Sequence, residues 1–297
     1  MGAEARARTD VPLLAQVQER SALAEFWRRY RRNAGALFGL GVIALLFATA
    51  VLAPVLATHD PTLITRSAFD PPSPAHFLGS DDLGRDLYST IVYGARITLL
   101  VGFLSAFVST LIGTAVGAAA GYFRGVIDDA LMRVTELFLV TPRFFLVLVA
   151  VAILGPSIWN VIVVISLLSW PATARLVRGQ FLTLRERDFV EAARASGVQD
   201  PRIIVRHILP NALPPIVVAG SLQVGQAILI EAGISFLGLG DPQAQSWGRM
   251  LNNAQQFLGR SLWMAFFPGA AIFLSVLGLN LVGDGVNDAL DARATDR

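Results

Sequence analysis

Long apolar runs alternate with shorter polar ones along this chain, and the apolar runs have the length of a bilayer rather than of a soluble core. Residues 35–57, GALFGLGVIALLFATAVLAPVLA, hold no charge over about the 20 residues that cross a hydrocarbon layer as helix. The same pattern predicts further spans at about 95–123, 130–154, from 158 to near 173 or beyond, 212–235 and 263–283. Each is expected to be helical, because lipid offers a backbone N–H or C=O no partner outside its own segment. The expected fold is an all-α integral membrane protein with six transmembrane helices.

Polar positions divide the rest. A tail at 1–34 leads into the first span, a proline-rich segment at 58–94 follows it, and five spans then form a core at 95–285 before a tail at 286–297. Arginine is distributed unevenly. Seven arginines precede the first span and seven lie between Arg175 and Arg206, against two in 58–94 and two in 236–262. Positive segments stay on the cytoplasmic side, which predicts a multi-pass protein of the cytoplasmic membrane with both termini inside and 58–94 outside. The leader carries Arg28, Arg29, Arg31 and Arg32 beside Phe26, Trp27 and Tyr30. Leader and apolar run are both too long for a cleaved signal, so the first span reads as an anchor.

Within the spans, two patterns stand out. Gly113, Gly117 and Gly121 recur every four residues, so one helix face is bare; that suits close backbone packing in lipid, though a flexible small-residue patch would read alike. Arg133, Glu136 and Arg143 sit in the third span with Pro142, and Glu231 near the outer end of the fifth. Ionisable groups at that depth face protein or water, not lipid.

Composition sharpens this. Hydrophobic residues make up 54% of the chain and charged ones 15%, where a soluble domain has about a quarter. All 24 basic residues are arginine. A Walker A loop ends in lysine and a Schiff base needs one, so any ATP-driven step must be powered by another polypeptide. No cysteine is present, which excludes thiol chemistry and disulfides. The three histidines, His59, His76 and His207, share no ligand spacing and read as isolated loop residues, with no metal site expected. The net charge of +2 comes without a basic groove interleaved with aromatics, so nucleic acid is not an expected partner.

The polar segment between the fourth and fifth spans, ERDFVEAARASGVQDPRIIVRHILPN at 186–211, is the densest in signals. Helix formers predict a helix over 186–196, closed by a left-handed cap at Gly197. Asp200 and Pro201 supply an N-cap and a first-turn proline for a second helix, which Pro210 bends toward the membrane. Ala192, Ala193 and Ala195 leave the first helix almost without bulk. The helix is then either an ordinary surface helix or one on which a partner closes, with Glu191 and Arg194 fixing orientation.

Glu191-Ala192-Ala193, Gly197 three residues beyond the second alanine's neighbour Arg194, and Leu209-Pro210 twelve residues after the glycine together resemble the EAA signature of ATP-binding-cassette importer permeases. His207 stands where the general pattern has isoleucine, unlike the sugar-type branch. Three more stretches, LGSDDLGRDLYSTIVYGARITLLVG at 78–102, SFLGLG to SWGRML at 235–251 and FPGAAIFLSVLGLNLVGDGVNDALD at 267–291, resemble the C-type subunit of the dipeptide/oligopeptide branch. The likeness covers nearly the whole chain beyond about residue 24.

The resemblance implies a MetI-like permease fold without catalytic residues or a cofactor of its own. ATP and Mg would be bound by two ATPase subunits. It implies that 186–201 is a coupling segment, with Glu191, Ala192, Ala193, Arg194, Gly197, Asp200 and Pro201 against the ATPase. It also implies a homologous second permease and an extracytoplasmic binding protein, with Asp81, Asp82, Gly84, Arg85, Asp86 and Trp247 at the outer mouth. From the residues alone, three aspartates around Arg85 read equally as a self-paired loop. The implied cargo is a short peptide, with nickel, glutathione or another small solute as alternatives. A secondary transporter using Arg133, Glu136, Arg143 and Glu231 as an ion relay is the reading of a different class.

Overall fold

In the computed structural model, which describes residues 22–290, every apolar run is helical. A short helix α1 (Ala22–Tyr30) precedes α2 (Ala34–Val51), whose start Asn33 caps by accepting from the Ala36 N–H at 3.0 Å. A brief α3 (Ala53–Leu56) ends the first apolar run. Residues 57–86 hold turns and one isolated antiparallel bridge, Ser80 to Asp86. Asp86 then caps α4 (Leu87–Phe123), a 37-residue helix that starts well before the span read from 95.

The third apolar run departs from the single helix expected over 130–154. It is two helices, α5 (Gly125–Val140) and α6 (Arg143–Leu154), bent by 87° at Thr141-Pro142. The cause is local: proline has no N–H to continue the ladder and forces the preceding residue out of helical geometry, and Thr141 sits at ψ 134°. Next come α7 (Ile158–Leu184), α8 (Asp188–Ala195) and α9 (Asp200–Ile203). A π turn at Ile204–Ile208 joins α9 to α10 (Leu209–Phe236). Finally α11 (Trp247–Ala254) lies across a loop before α12 (Trp263–Leu290). Among the described residues five helices are long and apolar enough to cross a membrane, and the bent α5–α6 pair makes a sixth if taken as one span.

The glycine face of α4 packs against α7. A Cβ on Gly113 would lie 2.7 Å from Thr173 Cβ, one on Gly117 2.8 Å from Val177 Cβ, and one on Gly121 2.7 Å from Phe181 Cβ. Three glycines at four-residue spacing thus meet three α7 side chains at the same spacing, a ridge set into a groove. A polar cluster crosses the same interface. Gln223 of α10 donates to Ser109 Oγ (2.5 Å) and to the Ser169 carbonyl (3.0 Å), and accepts from Thr110 (3.3 Å) and Thr173 (3.1 Å). Every hydrogen-bonding atom of this buried amide is engaged, so α4, α7 and α10 share one register. On the other side α2 meets α12, where a Cβ on Gly39 would stand 2.7 Å from the Gly278 carbonyl.

Candidate functional site

The 186–211 segment sits where α4, α7 and α10 end together. Val190 and Ala193 of α8 are buried in a cluster with Ala118 and Tyr122 of α4, Val177 and Phe181 of α7, and Ile203, Ile208, Ala212 and Ile216. They are three residues apart and mark the inward stripe of a two-turn helix. Glu191, Ala192, Ala195 and Gly197 are exposed. The surface offered by α8 therefore contains Ala192 but not Ala193, which its own chain covers.

The cap that ends α8 is well formed. Gly197 has φ +78°, its N–H donates to the Arg194 carbonyl (2.9 Å), and the Val198 N–H donates to the Ala193 carbonyl (3.1 Å). This paired pattern is a Schellman motif, and a residue with a Cβ is strained at such a φ. The second helix starts differently from expectation. Gln199 occupies the N-cap position, Asp200 and Pro201 open the helix, and the Asp200 carboxylate accepts from the Tyr122 hydroxyl instead of capping. Pro210 does not bend the chain away from a break at its own position. Leu209 donates to the Ile204 carbonyl five residues back, and the widened π turn carries Asp200–Phe236 through as one helix.

Tyr122, which carried no signal in the sequence beyond being an aromatic at the end of an apolar run, is the hub of this corner. Arg185 and Arg194 stand over its ring at 5.5 and 5.6 Å, and Arg185 also donates to its carbonyl. Arg194 is thus held against α4. An exposed pair, Arg124 to Glu186 at 2.6 Å, closes the rim. Shifts of α8 are in this way tied to the ends of three long helices.

At the opposite end of α4, the charged turn of 81–86 pairs with itself. Asp81 accepts from the Leu83 and Arg85 N–H groups (both 2.9 Å) and from Arg85 Nε (2.6 Å). Gly84, at φ +75°, is buried under Thr65, whose hydroxyl donates to the Gly84 carbonyl at 2.6 Å. Asp86 is 2% exposed and accepts from the Ser89 N–H (2.9 Å) and hydroxyl (2.6 Å). Burial alone would raise its pKa, but these bonds and one from His76 hold it below the ordinary carboxylate range. Trp247 is not at a surface: it is 1% exposed, its indole donates to the Ile91 carbonyl (3.0 Å), and its Cδ1 and Nε1 edge closes on Gly94, where a Cβ would stand 2.9 Å from Cδ1. Asp81, Gly84, Asp86 and Trp247, expected at the outer mouth, are thus buried and held by partners of their own chain. The histidines also correct the sequence reading. His59 and His76 lie with ring centroids 5.0 Å apart, tilted by 34°, and both approach Asp86.

Residues 111–296 match the family described as "Binding-protein-dependent transport system inner membrane component", and residues 21–73 match "N-terminal TM domain of oligopeptide transport permease C". The chain belongs to this permease family. It is 41% identical over 271 residues to the dipeptide transport system permease protein DppC of Alkalihalophilus pseudofirmus, covering 91% of this chain and 89% of that one. It is 40% identical over 290 residues to the glutathione transport system permease protein GsiD of Escherichia coli, covering 95% and 94%. A chain of the MetNI methionine ABC transporter in an inward-facing crystal form shares the fold, with a TM-score of 0.56 at 21% identity over 66% of this chain and 93% of that one. The molecule is an ATP-binding-cassette importer permease, a multi-pass inner-membrane subunit of a type that works with ATPase and substrate-binding partners.

The charges inside the permease do not form one relay among the described residues. Arg133 and Glu136 line one polar recess with Arg175 and Arg178. Arg143 donates to Gln226 (2.7 Å) beside another, and Glu231 faces a third, small one, accepting from Ser235 at 2.7 Å. Asp128, unremarked in the sequence, holds Arg178 with two bonds of 2.5 and 2.6 Å, tying α5 to α7.

Asp82 gives the permease a testable pH signature. Burial and the neighbouring Asp81 raise its pKa, and one of its oxygens is buried without a partner. A carboxyl whose folded pKa exceeds its unfolded one loses stability as pH rises from the unfolded value through the folded one, and the full cost stands at neutral pH. Asp82→Asn is expected to raise the melting temperature at pH 7, by about 1 kcal/mol in stability, and to leave it unchanged well below the carboxylate range. An equal effect at both pH values would show that charge is not the cause.

Proposed function

We propose that this permease forms half of the pathway of an importer for short peptides, pairing with a homologous permease and receiving force from two ATPase subunits through the exposed side of α8. The observation that carries the coupling role is the arrangement of that helix: Ala192, Ala195 and Gly197 face outward with almost no bulk, while Val190, Ala193, Arg194 and Asp200 bind its other side to the ends of α4, α7 and α10. A partner can approach the backbone closely there, and a rigid shift of α8 has no soft link through which to dissipate.

The arginine distribution supports placing the termini and α8 in the cytoplasm and residues 58–86 outside, where a binding protein would deliver cargo. With no lysine in the chain, ATP and Mg belong to the ATPase subunits. The two named relatives are a dipeptide and a glutathione permease. Both cargoes are short peptides, which supports a peptide over a bare metal ion as the solute.

The test is ATP hydrolysis by the reconstituted importer with cargo-loaded binding protein. Ala192→Trp adds bulk on the exposed side only and is expected to reduce stimulated hydrolysis about tenfold, equivalent to about 1.4 kcal/mol of lost coupling, with the melting temperature unchanged. Stimulation at the wild-type level would remove the coupling role from α8.

A further inference from the structure

Three side chains that are distant in sequence converge where the 57–86 segment meets the start of α4. One ligand atom from each of His59, His76 and Asp86 lies within 4.8 Å of the other two. His76 Nδ1 stands 3.0 Å from Asp86 Oδ1, and His59 Nδ1 3.8 Å from Asp86 Oδ2. The Asp86 side chain is 1% exposed, that of His76 14%, and that of His59 41%, so the cluster has a buried floor and one open side.

The geometry points to a divalent transition-metal site, of the kind that zinc occupies, made by His59, His76 and Asp86 with water in the fourth position. This goes beyond the peptide-import reading and does not depend on it. Two imidazoles and one carboxylate are a recognised ligand set for zinc, with bonds of about 2.0–2.2 Å. Tetrahedral bonds of that length put donor atoms about 3.3 Å apart. The His76–Asp86 separation of 3.0 Å needs to open by only a few tenths of an ångström. The 3.8 Å contact of His59 is to the other carboxylate oxygen, Oδ2, so His59, the more exposed ring, is the ligand that has to swing toward the oxygen His76 already meets. Each ring binds through the lone pair of a neutral imidazole nitrogen, its one N–H standing on the other nitrogen, and only a ring that is doubly protonated gives a proton to solvent on binding.

The surroundings are already arranged as an outer shell. Ser89 donates to Asp86 Oδ2 from both its N–H and its hydroxyl, and its hydroxyl oxygen accepts from the His59 N–H at 3.0 Å and the Thr58 N–H at 3.1 Å. The Thr58 hydroxyl stands 3.0 Å from His59 Nδ1 and 3.3 Å from Asp86 Oδ2. These bonds fix the carboxylate and the backbone at 58–59, which is how outer-shell groups orient metal ligands. A bound ion would staple both ends of the 59–76 stretch to the first turn of α4 and so stiffen this end of the permease.

The experiment uses the full importer complex, purified without a histidine tag and treated with chelator. Titration with cobalt chloride is expected to load one ion per copy of this chain, with the visible bands of four-coordinate cobalt, and zinc chloride is expected to displace it. His59→Ala and His76→Ala are each expected to weaken binding by about 10–100-fold, the usual effect of losing a group that supports a metal site or more. His59 is half exposed, so its alanine variant serves as the folding-safe case, checked by an unchanged melting temperature in chelator. Asp86→Asn keeps the helix cap and is expected to remove the cobalt bands. Cobalt binding of equal affinity in the His59→Ala, His76→Ala double variant and in wild type would overturn the site, as would wild-type complex that binds none.

Discussion

Trp247→Ala is expected to lower the folding stability of the permease by about 3–5 kcal/mol, the range for emptying a large buried aromatic site. The ring is 1% exposed and is packed among Leu87, Ala95, Leu99, Ile228, Ala232 and Met250, drawn from α4, α10 and α11. Its indole N–H and its backbone N–H both donate to α4, to the Ile91 carbonyl and the Thr98 hydroxyl. Gly94 and Gly248 leave the space: a Cβ on Gly94 would meet the Trp247 ring at 2.9 Å, and one on Gly248 would meet Ala232 Cα at 2.6 Å. Denaturant titration of the purified complex in mixed micelles measures the loss. A loss below about 1 kcal/mol together with failed stimulation by binding protein would instead make Trp247 a docking residue.

Gly117→Leu is expected to be about as damaging, for the opposite reason. Its Cβ would stand 2.8 Å from Val177 Cβ and closer still to the Ala174 carbonyl, and then touch the Arg178 backbone nitrogen at 3.0 Å. Two of those three atoms are backbone of α7 and have no rotamer to change. The helices must part, and the Gln223 hydrogen bonds that span α4, α7 and α10 part with them. Overpacking costs about 1–3 kcal/mol where side chains can give way, and the backbone contact puts this case at or above the upper end. Gly179→Ala, on the exposed side of α7 with nothing within 4 Å of a Cβ, is the control; it is expected to be neutral or stabilising by up to about 1 kcal/mol. The fraction of monodisperse complex on size exclusion and its melting temperature separate the two. Wild-type behaviour of Gly117→Leu would mean that α4 and α7 do not meet along this ridge.

Helix existence was readable because lipid removes alternatives: an uncharged run of bilayer length has no other way to satisfy its backbone. The Gly113, Gly117, Gly121 face was readable as a ridge, though nothing in it named α7 as the groove. The break at Pro142 carried its own signal, and reading 130–154 as one span passed over the restriction that proline places on Thr141. In the 186–211 segment the glycine cap was legible from one residue, whereas the choice between Ala192 and Ala193 as the outward face was not. That choice depends on Val190 and Ala193 joining one buried cluster with Phe181 and Ile208, residues that come from separate elements of the chain.

What the chain's composition and order settled by themselves are properties that each segment carries alone: where spans lie, where Gly197 must turn, and which chemistry an absence of lysine and cysteine removes. The tertiary structure decided everything that depends on a neighbour. Asp81 and Asp86 are acidic in any conformation, but only the folded turn makes one a partner of Arg85 and the other a buried cap shared by two histidines. Trp247 became core instead of surface because Gly94, far away in sequence, is flat enough to receive it. Burial and pairing are relations between distant residues, and a linear pattern holds no record of which distances will close.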